Sequence, residues 1–118
     1  MRFLVVDDST VDRHLLSSLL EELGHEVEVC SDTEGTLDKI AEGKYDSVFL
    51  DIVMPEQDGY KFLRALRSHV QTAKQHVIFY SNKKTQLEVD YGIKRAGANE
   101  YLVKPVTRET VTQVIQKV

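Results

Sequence analysis

The sequence predicts an α/β fold: a doubly wound, five-stranded parallel sheet with helices on both faces. Two observations carry this. Five short apolar runs alternate with five helical stripes along the 118 residues, the order produced by right-handed crossovers between parallel strands. Most of the runs are unbroken rather than alternating, the pattern of strands covered on both sides. The length suits one domain over residues 1–118.

Phe3-Leu4-Val5-Val6 is the first strand and stops at Asp7-Asp8. Ser9 is placed to cap the first helix, with Asp12 completing a capping-box-like pair. The stripe Val11, Leu15, Leu16, Leu19, Leu20 and Leu23 follows, and Gly24 ends it. Glu26-Val27-Glu28-Val29-Cys30 alternates, as a strand nearer the sheet edge does. Thr33 to Glu42 reads as a second helix stopped by Gly43, and Val48-Phe49-Leu50 as the third strand, running into Asp51. Pro55 turns the chain, and Asp58-Gly59 opens a third helix carrying Phe62, Leu63 and Leu66. After a polar connection from Ser68 to Gln75, Val77-Ile78-Phe79-Tyr80 is the fourth strand, ending at Ser81. Lys84 to Ala96 is a fourth helix, less cleanly amphipathic, closed by Gly97. Tyr101-Leu102-Val103 runs into Lys104-Pro105, and Thr107 caps a last helix with the stripe Val111, Val114, Ile115 and Val118.

Composition excludes several classes. With 42% hydrophobic and 29% charged residues the chain can build a core and stay soluble. A net charge of −4 argues against direct nucleic-acid binding. Cys30 has no partner for an internal disulfide. No apolar run approaches the roughly 18 residues of a membrane span, and the opening run ends at Asp7-Asp8 without a secretory cleavage region. A cytoplasmic protein without membrane contact is expected.

In doubly wound sheets ligands sit beyond the carboxyl ends of the strands. Here those ends carry Asp7 and Asp8, Asp51, Ser81 and Lys104. Any one of them is an ordinary loop residue; together they form a constellation. Three carboxylates gathered within about 5 Å repel by roughly 3 kcal/mol per pair at an effective dielectric near 20. An all-oxygen site of this kind suits Mg²⁺, and Lys104 offsets only part of the charge. Metal, ammonium and the Ser81 hydroxyl together suit a phosphoryl group. No glycine-rich phosphate loop is present to supply a nucleotide. Asp51, at the centre of the sheet, is then the nucleophile able to form an acyl phosphate.

These residues resemble a receiver domain of bacterial two-component response regulators, of the chemotaxis-regulator type. The likeness covers essentially the whole chain. It rests on Val5-Val6-Asp7-Asp8-Ser9, Asp51-Ile52-Val53-Met54-Pro55 with Asp58-Gly59, Ser81, and Gly97 through Pro105. It implies a flavodoxin-like receiver fold and a chain that catalyses its own phosphorylation and slow dephosphorylation. Asp51 would be the phosphoacceptor, supplied by a sensor histidine kinase or a histidine phosphotransfer protein. Mg²⁺ would be held by Asp8, Asp51 and the backbone carbonyl of Val53, with Asp7 acting mostly through water. Lys104 would pair with the acceptor and then with the phosphoryl group. Ser81 would bond that group, Tyr101 would swing inward behind it, and the Lys104-Pro105 bond would be cis. The surface of the fourth helix, fifth strand and fifth helix would report the switch to a target, an attached output domain or a second copy of the chain.

Some positions depart from the family's commonest pattern: Asn82 where a small residue is usual, apolar Val53 two after the acceptor, and Val106 where phenylalanine is frequent. Residues 82–91 are unusually polar and suit a solvated face or a partner surface equally. Three other functions compete. A receiver fold can serve as a phosphorylation-independent scaffold. An aspartyl-phosphate phosphatase wants an aspartate where Val53 stands. A flavin carrier wants a phosphate loop where Asp7-Asp8 stand. His14, His25, His69 and His76 are read as ordinary surface or packing residues, as is Cys30. Tyr60, Tyr80 and Tyr91 are read as packing or rim residues.

Overall fold

The computed structural model describes residues 1–54 and 57–118, Gln57 by its backbone alone. Pro55, expected to turn the chain after the third strand, lies outside the described residues. The sheet contains β1 (Arg2–Val6), β2 (Glu26–Cys30), β3 (Ser47–Asp51), β4 (Val77–Ser81) and β5 (Glu100–Val103), all parallel in the order β2-β1-β3-β4-β5. The alternating segment Glu26–Cys30 is indeed an edge strand. Strand order reverses direction between β1 and β3, which opens a crevice at their carboxyl ends. A short antiparallel pair, Val53–Met54 with Gln57–Asp58, follows β3.

Alternate residues of each strand serve opposite faces of the sheet. Phe3, Val5, Phe49, Ile78, Tyr80 and Leu102 pack with helices α1 (Thr10–Glu22) and α5 (Arg108–Ile115). Leu4, Val6, Val48, Leu50, Val77 and Phe79 pack with α2 (Thr36–Gly43) and α3 (Gly59–Ser68). Both faces are covered, and this is why the strands need not alternate with polar residues. Where β1 is in register with β3, Leu4 faces Val48 and Val6 faces Leu50, stacking like on like.

Several boundaries differ from the expectation for physical reasons. The stripe of α1 is narrower than its leucines suggest. Leu16 and Leu20 are fully buried, Leu19 and Leu23 pack at the margin, but Val11 is 77% and Leu15 39% exposed. Helix α2 starts at Thr36, not Thr33. The Asp32 carboxylate accepts from the Glu34 amide, the Asp32 carbonyl accepts from the Thr36 hydroxyl, and Gly35 takes a left-handed φ of 70°. That local turn competes with the helix. Gly43 is the last residue of α2 rather than its stop, since the left-handed residue is Lys44. A β-carbon on Gly43 would fall 2.3 Å from the Tyr45 ring, so glycine is there for close approach.

The fourth helix is shorter and mixed. Thr85 caps α4 (Gln86–Asp90) in a reciprocal capping box with Glu88. The chain then widens into a π-helical turn over Tyr91–Arg95, with the Ala96 amide bonding the Tyr91 carbonyl. This turn sets buried Gly92 against the Tyr101 and Phe79 rings, where a β-carbon would lie 3.0–3.2 Å from them. In α5, Val111, Val114 and Ile115 are buried as expected, whereas Val118 lies beyond the helix and is exposed. Among the described residues no helix is long and apolar enough to cross a membrane.

Candidate functional site

The crevice collects the expected residues by strand parity. Asp7 follows Val6, the partner of Leu50, while Asp51 is in register with Tyr80. Asp7, Asp51 and Tyr80 therefore stand on the face covered by α1 and α5. Asp7 is fully buried, Asp51 is 5% exposed and Asp8 faces solvent. One carboxylate oxygen from each of Asp7, Asp8 and Asp51 lies within 4.8 Å of the others. Two buried acids and one open to water form a set that fits a hard divalent cation, which tolerates carboxylate ligands and keeps part of its hydration.

Lys104 projects from the end of β5 with its side chain only 7% exposed. Its Nζ is 2.9 Å from Asp12 Oδ2, 3.1 Å from Asp7 Oδ2 and 3.7 Å from Asp51 Oδ1, and sits 4.6 Å from the centre of the Tyr80 ring. The expected pairing with Asp51 is thus the longest of three contacts. Asp12 was expected to reach back to cap its own helix. Ser9 Oγ does accept from the Asp12 amide at 3.3 Å, but the Asp12 carboxylate reaches to the lysine.

Tyr80 is a part of the site that sequence reasoning assigned to packing. It is fully buried, and its hydroxyl donates a hydrogen bond to Asp7 Oδ2. The signal was available only after register was known: Tyr80 shares parity and register with Asp51. Asp7 is otherwise held by the Ser9 amide at Oδ1, 2.9 Å, and the Arg13 guanidinium donates to its backbone carbonyl.

These partners divide the two buried acids. Burial pushes the Asp7 carboxyl up, but the Tyr80 hydroxyl, the Ser9 amide and Lys104 outweigh it and hold Asp7 below the ordinary range. Asp51 has one weak amide contact, from Val53 at 3.4 Å. Its burial prevails over Lys104, and with the Asp7 charge beside it the carboxyl is pushed up to about 7. The three carboxylates around Lys104, Asp12 foremost, raise its affinity for a proton despite burial.

Ser81 and Tyr101 stand across the sheet from that cluster, on the α2 and α3 side. Ser81 is 2% exposed; its Oγ accepts from the Lys83 amide at 3.2 Å and its carbonyl accepts from the Lys104 amide at 2.9 Å. Tyr101 is half-buried, edge-on to Phe79, and its hydroxyl donates to the Lys83 carbonyl at 2.6 Å. Both residues are tied to one loop through Lys83. Burial pushes the Tyr101 phenol up to about 12. Asn82 is exposed beside them. Val53 is 60% exposed after Asp51, and the Lys104-Pro105 peptide is cis.

The backbone of Asp51 and Ile52 lies close against the start of α3. Asp58 accepts from the Tyr60 amide as its N-cap, and the Gly59 amide donates to the Ile52 carbonyl at 2.9 Å. A β-carbon on Gly59 would fall 2.5 Å from the Asp51 carbonyl oxygen and 2.7 Å from Ile52 Cα.

Known proteins share this fold. Residues 3–116 match the response regulator receiver domain family. The protein PilH of Pseudomonas aeruginosa is 35% identical over 117 residues, 99% of this chain and 96% of that one. A gliding motility regulatory protein of Myxococcus xanthus is 36% identical over 104 residues, 88% of this chain but 13% of that longer protein. Among solved structures, the Vibrio cholerae chemotaxis protein CheY4 superposes with a TM-score of 0.88 at 31% identity, covering 99% of this chain and 97% of that one. The receiver domain of the sensor histidine kinase PA1611 from P. aeruginosa superposes with a TM-score of 0.86 at 26% identity, covering 98% and 94%. That domain carries a magnesium ion coordinated in its active-site cleft. With the family matched from the first strand into the last helix, this chain belongs to the response regulator receiver domains of two-component signalling.

Proposed function

We propose that the chain accepts a phosphoryl group on Asp51 and changes its partner as a result. The observation that carries this is the acid cluster: a buried Asp51 with oxygens of Asp7 and Asp8 within 4.8 Å and the Lys104 ammonium at 3.7 Å. A carboxylate oxygen of Asp51 attacks phosphorus, and the bond to the donor histidine nitrogen breaks with its electron pair left on the imidazole. Hydrolysis of the acyl phosphate later returns Asp51. The donor is a sensor histidine kinase or a histidine phosphotransfer protein.

The residues of this chain divide the work. Asp8, Asp51 and the Val53 carbonyl would hold Mg²⁺, with Asp7 acting through water. A bound Mg²⁺ supplies positive charge that the equatorial phosphoryl oxygens need. Lys104 supplies a second positive charge, and Ser81 a hydroxyl donor. A phosphoryl group adds about −1.5 to −2 charge and three acceptor oxygens. Lys104 and Ser81 answer it by reorienting, which pulls on the loop that Tyr101 bonds through Lys83. The surface of α4, β5 and α5, where Leu87 and Tyr91 are exposed, reports the change.

The test is phosphorylation by acetyl phosphate in Mg²⁺, followed by mass spectrometry. Wild type gains one phosphoryl group on Asp51, and Asp51→Asn gains none. Modification at another residue, or equal uptake by both proteins, overturns the assignment.

A further inference from the structure

Among the described residues Lys104 is the cation paired with the carboxylates of Asp7 and Asp51, and its shortest contact is to a residue outside that cluster. Asp12 Oδ2 stands 2.9 Å from Nζ, against 3.7 Å for Asp51 Oδ1. Asp12 sits in the first turn of α1, its side chain 39% exposed, whereas the lysine side chain is 7% exposed. Nothing in the capping of α1 needs that carboxylate, because the Ser9 hydroxyl bonds the Asp12 backbone amide. The same lysine also bonds Asp7, which Tyr80 and Ser9 keep ionised and fixed. Two carboxylates that are not the acceptor therefore hold the ammonium before any phosphoryl group arrives.

An interaction made in the resting state and given up in the transition state slows the step. Phosphoryl oxygens forming on Asp51 need Lys104 closer than 3.7 Å, and a charge-assisted bond to them has to replace one of the two existing ones. Asp7 is fully buried and cannot be left unpaired cheaply. Asp12 borders solvent, and water can take over its oxygen. The Asp12 contact is the one that yields.

We propose that Asp12 is a positioning residue that restrains Lys104 and so sets the rate at which Asp51 is phosphorylated. This rests on Asp51 being the acceptor. In the step concerned, an Asp51 oxygen bonds to the phosphorus of acetyl phosphate while the bond to the acetyl oxygen breaks, and acetate leaves with the electron pair. Asp12 touches none of the reacting atoms; it acts through the lysine.

The experiment is a double-mutant cycle on the full chain. The initial rate of phosphorylation by acetyl phosphate, and the affinity for beryllofluoride as a phosphoryl mimic, are measured in Mg²⁺ for wild type, Asp12→Asn, Lys104→Gln and the pair. Releasing one charge-assisted contact at a partly exposed site is expected to raise the rate and the beryllofluoride affinity about three- to tenfold in Asp12→Asn. In the Lys104→Gln background the same substitution should have no effect. Asp12→Ser, which shortens the side chain, should act like Asp12→Asn. A rate and affinity at or below wild type in Asp12→Asn overturn the proposal. So does a gain that persists without Lys104, since Asp12 would then act on the site by its charge alone. A wild type that takes up no phosphoryl group on Asp51 sinks the functional reading together with this one; normal uptake indifferent to Asp12 sinks this one alone.

Discussion

Asp51 and Asp7 are neighbours of the same chemistry with opposite burdens, and the difference lies in their donors. Asp7 has a phenol, an amide and an ammonium; Asp51 has a long amide contact and a more distant ammonium. Ionisation of Asp51 is thus disfavoured by its surroundings. Its folded-state carboxyl, at about 7, lies above the ordinary aspartate value. The native state is therefore favoured by the protonated form, and that contribution is lost as pH rises from about 4 through about 7. Asp51→Asn should stabilise the metal-free protein by about 1–3 kcal/mol above pH 8 and by almost nothing below about pH 4. Urea denaturation in a chelator at the two pH values checks this, and equal effects at both would contradict it. Tyr80→Phe acts in the opposite direction. It removes a donor from a fully buried carboxylate and should cost about 1–3 kcal/mol at neutral pH. Asp7 is held below its ordinary value, so its stabilisation is present above about pH 4 and fades as pH falls. The Tyr80→Phe deficit should shrink with it; a deficit independent of pH would mean lost packing alone.

At the scale of elements, close backbone approach decides more than helix propensity. The N-terminus of α3 lies directly on the chain that follows Asp51, and Gly59 allows it. Gly59→Ala should force α3 away from Ile52, at a cost of about 1–3 kcal/mol by overpacking. Because the displaced contact is with the backbone of Asp51, the proposed acceptor, the phosphorylation rate should fall as well. Chemical denaturation with the acetyl phosphate assay checks both, and a variant as stable and as fast as wild type would show that α3 is free to move. The strands and their parallel sheet were legible because unbroken apolar runs need cover on both faces. Helix starts were less so. The Asp32 turn delays α2, and the ring contacts of Gly92 accompany a π turn that no apolar period announces. In α1, Val11 and Leu15 continue the apolar pattern but face solvent, because periodicity marks a stripe without saying how much of it the sheet covers.

At the scale of the whole molecule, the metal and the fold should be linked. A ligand that binds only the native state at about 100 times its Kd adds about 2.7 kcal/mol of stability. Mg²⁺ should therefore raise the melting temperature of wild type. In Asp51→Asn and Asp8→Asn the rise should be reduced or absent, since each loses a carboxylate of the cluster. An equal rise in all three would place the ion elsewhere. Asp51→Asn then has opposite signs in the two conditions, more stable than wild type without the ion and less responsive with it. By itself the sequence determined the parallel sheet, its crossover helices and the gathering of Asp7, Asp8, Asp51, Ser81 and Lys104 at one edge. The burial of apolar runs and the single-handed crossover leave little choice in those matters. Only the tertiary structure decided how the residues are shared out within that edge. Strand register brought Tyr80 onto Asp7 and separated Ser81 and Tyr101 onto the other face. The docking of α1 aimed Asp12 at Lys104 instead of its own cap. Contacts of this kind join residues 73, 92 or 97 positions apart, and no local pattern encodes a distance between side chains that only the packed sheet brings together.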